Sequence, residues 1–229
     1  DNFNNIDMMA RGGAISLLAL WSWILLRDHR QSLATRLAVL MNGAICCYLL
    51  VTAGWYREPN MLGLLLALGA GATPGLFWLF TRALFDETFT LRWWHALVWA
   101  AVAAFSFVNC VWIAAASGAR LSIVAVNLLA LGFIALAVAQ TVMSWSADLV
   151  ERRRRVRVFI VGVSALYGGL NAVLQISMSG GGAEIANTVN LAVLAAVVVA
   201  ISIVMMRVDG ADLFPAAPEM EADASDAAV

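Results

Sequence analysis

The chain contains no lysine, two histidines, three cysteines and four prolines, and only 13% of its residues are charged. Each scarcity excludes something. Without lysine no ε-amine is present to form a Schiff base, which removes retinal-type light chemistry. His29 and His95 both fall at the edges of apolar stretches, too few and too far apart for a hydrolytic zinc centre built from converging histidines. Cys46, Cys47 and Cys110 lie inside apolar stretches, and an adjacent pair plus one is no disulfide framework; they fit as small apolar filler. None of the 15 acidic residues falls near the middle of an apolar stretch, where proton pumps and ion-coupled transporters keep such groups. No Ser–His–Asp arrangement or phosphate-cradling glycine loop stands out. The residues point away from catalysis, and they imply neither a metal nor a cofactor.

What is present is apolar sequence in long runs, with 62% of the chain hydrophobic. A bilayer core of roughly 30 Å needs about 20 helical residues. Seven stretches approach that length: Met8–Leu26, Leu37–Trp55, Met61–Phe80, Ala96–Ala115, Leu121–Met143, Val158–Ser177 and Ala186–Met206. The expectation is an all-α, polytopic membrane protein, a seven-transmembrane-helix bundle over residues 1–207. Gly12–Leu26 is followed by charge and lacks a small-residue cleavage site, so it fits a retained first span rather than a secretory signal. Residues 208–229 carry six acidic side chains with Pro215, Pro218 and many alanines, the composition of a flexible cytoplasmic linker or tail.

Arginine sets the expected orientation. If the loops alternate, Arg27, Arg30, Arg36, Arg82, Arg92, Arg152, Arg153, Arg154, Arg155, Arg157 and Arg207 share one side, and only Arg11, Arg57 and Arg120 fall on the other. An excess of basic residues marks cytoplasmic loops, so the N-terminus is expected outside and the C-terminus in the cytoplasm. Loops such as Tyr56–Asn60 and Ala116–Arg120 are short enough to force antiparallel neighbours. The longer loops Thr81–His95 and Ser144–Arg157 fall on the arginine side. The cluster Arg152, Arg153, Arg154, Arg155 and Arg157 suits an anchor to anionic membrane lipid, and a docking surface for another domain is the alternative.

Polar residues inside the apolar stretches are mainly amides, and they share a depth. Asn109, Asn127, Asn171, Gln175, Asn187 and Asn190 all fall in the outer halves of spans 4 to 7. Ser164, Tyr167, Asn171 and Gln175 follow one another at steps of three, four and four, along one helical face. Trp112 lies one turn beyond Asn109. Such a group can line an outward-opening pocket for a small apolar ligand, with Tyr167 and Trp112 on its wall. The competing reading is glue, because amides in spans hydrogen-bond across helices for about 0.6–2 kcal/mol each. Asn42 stands apart as a structural residue. In span 3, Gly71-Ala72-Thr73-Pro74-Gly75 predicts a kink, since proline removes a helical hydrogen bond. The kink is either static or a hinge that moves the following segment with Arg82, Asp86 and His95. Gly162, Ala165, Gly168 and Gly169 offer a small-residue face for packing within the bundle or between protomers, and a homo-oligomer is expected.

The run Thr73-Pro74-Gly75-Leu76-Phe77-Trp78-Leu79-Phe80, continuing through Arg82-Ala83-Leu84-Phe85-Asp86-Glu87-Thr88-Phe89 to Trp93-Trp94-His95, carries a resemblance. It is similar to a block in the membrane-embedded N-terminal halves of bacterial AraC-type transcriptional regulators. Glu151–Arg157, Leu166-Tyr167-Gly168 and Asp212-Leu213-Phe214-Pro215 resemble further blocks of that group. The resemblance implies a sensor and anchor domain in the bacterial inner membrane, signalling to a cytoplasmic helix-turn-helix domain expected beyond Val229. DNA would then be a partner only through that domain. The alternative from another class is a self-contained carrier or flippase for an uncharged apolar substrate.

Overall fold

The computed structural model describes residues 2–53, 61–86, 89–109, 119–143, 151–178 and 183–207. Among them it contains eight helices and no strand. These are α1 (Asn2–His29), α2 (Leu33–Val51), α3 (Met61–Gly71), α4 (Thr73–Phe85), α5 (Trp93–Val108), α6 (Ala119–Met143), α7 (Glu151–Ser177) and α8 (Ala183–Met206). Five of them, α1, α2, α6, α7 and α8, are long and apolar enough to cross a membrane. The pair α3 and α4 supplies a sixth span if it is taken as one helix broken by a bend of 41°. The remaining helix, α5, is apolar but shorter, and residues 110–115 of the crossing expected over Ala96–Ala115 lie outside the described residues. Residues 208–229, the expected tail, also lie outside them.

The break between α3 and α4 has a local chemical cause. Pro74, in the first turn of α4, has no N–H to offer the carbonyl four residues back, that of Ala70. The Thr73 hydroxyl donates to the Ala70 carbonyl instead, at 2.8 Å. The chain therefore bends without leaving that acceptor bare inside an apolar bundle, where each unsatisfied group would be costly.

Two clusters of buried side chains show how the helices run. The larger gathers Leu25 from the end of α1, Ala34 and Leu37 from the start of α2, and Leu79, Phe80 and Leu84 from α4. Ile160 and Val161 from α7 join them, with Val156 and Met205 packed alongside. The smaller joins Ala14 and Leu18 of α1, Leu49 of α2, and Leu191, Leu194 and Val198 of α8. The end of one helix thus meets the start of the next, and neighbours alternate in direction. Arg27, Arg30, Arg36, Arg82, Arg92 and Arg157 consequently lie toward the end that holds the larger cluster. Around the outside, Trp23, Leu40, Leu65, Leu97, Leu128, Val142, Leu166 and Leu170 are exposed. An apolar exterior on this scale is what a hydrocarbon solvent requires, and a soluble protein does not carry one. The described residues form a helical protein of membrane type.

Helix ends depart from the apolar stretches. The segment Glu151–Arg157, expected as the end of a loop, forms the first two turns of α7. Arginine and glutamate are good helix formers, so hydropathy stops before the hydrogen-bond ladder does. Arg155 is exposed, Arg154 is half-buried and Arg157 is only 3% exposed, so the cluster is not uniformly a solvated face. The expected loop Thr81–His95 is likewise shortened at both ends, because α4 continues to Phe85 and α5 starts at Trp93.

Candidate functional site

The expected outer amides divide into groups by their hydrogen bonds. Asn187 and Asn190 on α8 converge with Tyr167 of α7 on the C-terminal end of α2. Tyr167 donates its hydroxyl to Asn190 Oδ1 at 2.7 Å, and Asn190 Nδ2 donates to the Tyr48 hydroxyl. Asn187 Nδ2 donates to the Thr52 carbonyl at 3.3 Å. Asn109, at the end of α5, pairs elsewhere: its Nδ2 donates to the Ser122 carbonyl at 3.0 Å, and Ser122 Oγ donates back to the Asn109 carbonyl at 3.4 Å. Asn127 turns to its own helix, donating to the Ile123 carbonyl at 2.8 Å. Gln175 donates to Asn171 within α7 at 3.5 Å, the longest of these contacts. Trp112 lies outside the described residues. Asn42, expected to be structural, ties α2 to α1 by donating to Ser22 Oγ at 3.1 Å.

Around Asn187 and Asn190 the structure adds residues that sequence reasoning passed over. Arg11 of α1 is 5% exposed. Its Nε donates to Asp7 Oδ2 at 2.7 Å, and its Nη1 donates to the Leu49 carbonyl at 2.6 Å and to Thr52 Oγ1 at 2.8 Å. Thr52 Oγ1 in turn donates to the Tyr48 carbonyl at 2.8 Å. The logic is that of a helix end. The last carbonyls of a helix have no partner in the next turn, and here α1 and α8 supply donors for those of Leu49 and Thr52. A cation at this end also complements the α2 dipole. The result is one polar junction joining four helices, with Asp7, Arg11, Tyr48, Thr52, Tyr167, Asn187 and Asn190 connected by hydrogen bonds.

The spacing of Asp7 and Arg11, four residues apart at the edge of an apolar stretch, was the sequence signal for this junction. Arginine counting assigned Arg11 only to topology and so missed its role.

Substitutions should separate the groups. Replacing Asn190 by leucine removes two hydrogen bonds and strands two tyrosine hydroxyls, which should cost about 2 kcal/mol. The double change Asn171→Leu and Gln175→Leu removes one long contact between half-buried side chains and should cost less than about 1 kcal/mol. Thermal unfolding in one detergent reads both. Equal losses would mean that the junction is not where the stability lies.

A second arrangement occupies the other end, where α4 turns into α5. His95, expected with Arg82 and Asp86 to follow the hinge, is 2% exposed. It stacks on Trp94 with ring centroids 3.5 Å apart, meets Phe89 edge-on at 5.0 Å and lies 6.1 Å from Trp78. The Arg82 guanidinium lies 4.8 Å from the Phe89 ring and 5.7 Å from the Trp78 ring. The Arg92 backbone N–H donates to His95 Nδ1 at 3.1 Å, holding the start of α5. Burial first, and the Arg82 charge second, keep the imidazole below the ordinary histidine range, so it is neutral near pH 7. Asp86 caps the end of α4, its backbone N–H donating to the Arg82 carbonyl at 2.9 Å. Gly75 lets α5 approach α4, since a Cβ there would lie 3.4 Å from Trp99 Cδ1.

Among the described residues, no three His, Cys, Asp or Glu side chains come together as a metal site would require. Compared with family models, with curated proteins and with solved structures, the chain matches none.

Proposed function

We propose that the chain is the sensing and anchoring domain of a one-component transcriptional regulator in a bacterial inner membrane. In this reading it crosses seven times, with its N-terminus outside and its C-terminus in the cytoplasm. It registers a small apolar ligand or the state of the membrane and passes that state to a helix-turn-helix domain. A ligand can act only by favouring one of two arrangements of the bundle over the other. The polar junction of Tyr48, Tyr167, Asn187 and Asn190 supplies hydrogen-bonding groups where four helices meet, the place where such a preference would be felt.

One observation carries the reading. The break at Pro74 divides a span into two arms, and the second arm leads directly to Arg82 and the buried His95. A rotation of that arm about the break would displace the turn on the arginine-rich side, next to the start of the α7 helix with its basic residues. The resemblance of residues 73–95 to the AraC-type membrane halves falls on this same segment.

The test is a fusion. A DNA-binding module that represses its operator only as a dimer is joined after Val229, and reporter repression is measured in bacteria. Strong repression is expected, and Pro74→Ala should change its level at equal expression. If the fusion accumulates in the membrane yet represses no better than the module on a single apolar span, the reading fails. In that case association, a cytoplasmic C-terminus, or both are lacking.

A further inference from the structure

Three buried N–H groups lie along the seam between α4 and α5 with no hydrogen-bond partner among the described residues: Arg82 Nε, His95 Nε2 and Trp99 Nε1. Native proteins pair nearly all buried polar atoms, so three orphans on one seam call for an explanation. They are neighbours. Arg82 and His95 share the Trp78 and Phe89 rings as walls. Trp99 lies one turn beyond His95 on α5, and its Cδ1, the atom next to Nε1, faces Gly75. Gly75, Trp78 and Arg82 follow one another at steps of three and four on α4, so the two helices present matching faces.

All three orphans are donors. His95 Nδ1 already accepts from the Arg92 N–H, so in the neutral ring the proton sits on Nε2. A guanidinium, an imidazole N–H and an indole N–H select a group that only accepts, and the positive charge selects an anion. The surroundings then narrow the source. The aromatic walls and the exposed Leu91, Trp93, Trp94 and Leu97 beside them form an apolar approach at the arginine-rich end. We infer that the α4–α5 seam binds an oxyanion, the phosphate or carboxylate headgroup of a membrane amphiphile, with Arg82, His95 and Trp99 as its donors. Its acyl chain lies against the outward apolar side of α5. The site is separate from the polar junction at the other end and stands whether or not the chain is a sensor.

The chain has two histidines, which makes the test direct. The protein, labelled with 15N only in histidine, is placed in maltoside micelles, whose headgroups carry no phosphate or carboxylate, and titrated separately with phosphatidylglycerol, oleate and inorganic phosphate. The His95 Nε2 resonance is expected to shift saturably with phosphatidylglycerol or oleate while that of His29 stays. Arg82→Lys and Trp99→Phe, which keep charge or ring but remove one donor, should each raise the half-saturating lipid fraction roughly tenfold. A response to inorganic phosphate alone would keep the oxyanion and overturn its membrane source. Glu87 follows Asp86 in the sequence and is the competing internal acceptor. A shift caused by Glu87→Gln, with none from any added anion, would overturn the inference, as would silence in every titration.

Discussion

Replacing Asp7 by leucine should destabilise the bundle by about 3 kcal/mol, whereas the double change Asp7→Leu and Arg11→Met should cost clearly less. The asymmetry follows from where the charges sit. The Arg11 side chain is 7% exposed and that of Asp7 25%, at an Nε to Oδ2 distance of 2.7 Å. Removing the carboxylate alone leaves a guanidinium in an apolar setting with only neutral acceptors, the Leu49 carbonyl and Thr52 Oγ1. Removing both charges deletes the penalty together with the attraction. What remains is the Leu49 carbonyl without its donor, a smaller loss typical of one buried hydrogen bond. The reciprocal change, Arg11→Met, should fall between the two, because Asp7 is the more exposed partner and water can reach it. A double-mutant cycle of unfolding free energies in one detergent checks the order. Additive effects of the two single changes would show that the pair is solvated and that the junction is held by its amides instead.

The residues of this junction show which parts of the molecule were legible in the sequence. Apolar runs are local information: their length and composition alone locate α1, α2, α6, α7 and α8. The kink at Pro74 was legible for the same reason, since the missing N–H belongs to one residue. Its compensation by the Thr73 hydroxyl is equally local and could have been read from the Thr-Pro pair. Helix ends were not legible, because Glu151–Arg157 is polar enough to stop a hydropathy stretch and helical enough to continue the ladder. Shared depth grouped Asn190 with the other amides and the helical face placed Tyr167 on the stripe; the structure joins these two by a hydrogen bond. Depth could not identify Tyr48, Thr52 or Arg11 as partners. Those pairings span 38 to 142 residues and depend on which helices lie side by side.

The helical face of Ser164, Tyr167, Asn171 and Gln175 makes the same point from the other direction. Steps of three and four residues fix a face, but they do not say which positions along that face meet a polar neighbour. Tyr167 finds Asn190, while Asn171 and Gln175 find each other. The glycines of α7 behave alike. A Cβ at Gly168 would meet Ile134 of α6 at 2.8 Å, whereas one at Gly162 or Gly169 would meet nothing within 4 Å. The small-residue face is therefore used inside the bundle at the buried Ala165 and at Gly168, and not at Gly162 or Gly169.

Glycine matters most on the broken span, where Gly71→Val should cost about 3 kcal/mol. Gly71 closes α3 immediately before the bend, and a Cβ there would lie 2.7 Å from Ser106 Cβ and 3.4 Å from the Ala103 carbonyl of α5. Ser106 is buried, and its Cβ is fixed to the backbone, so no rotamer change relieves the overlap. Either α3 moves away from α5 or the bend changes. Valine adds two methyl groups to that clash and loses rotamer freedom in the last helical turn. A substitution of the same kind in open space behaves oppositely. Gly13→Ala in α1 meets nothing within 4 Å and exchanges glycine for a better helix former, so it should be neutral or stabilising by up to about 1 kcal/mol. The contact itself can be isolated by rescue. In a Gly71→Ala background, Ser106→Gly removes the atom that is struck and should restore most of the lost stability, a coupling of about 1–2 kcal/mol. If Ser106→Gly restores nothing, the glycine serves the freedom of the break rather than the approach of α5, and movement at Pro74 gains the support that close packing loses.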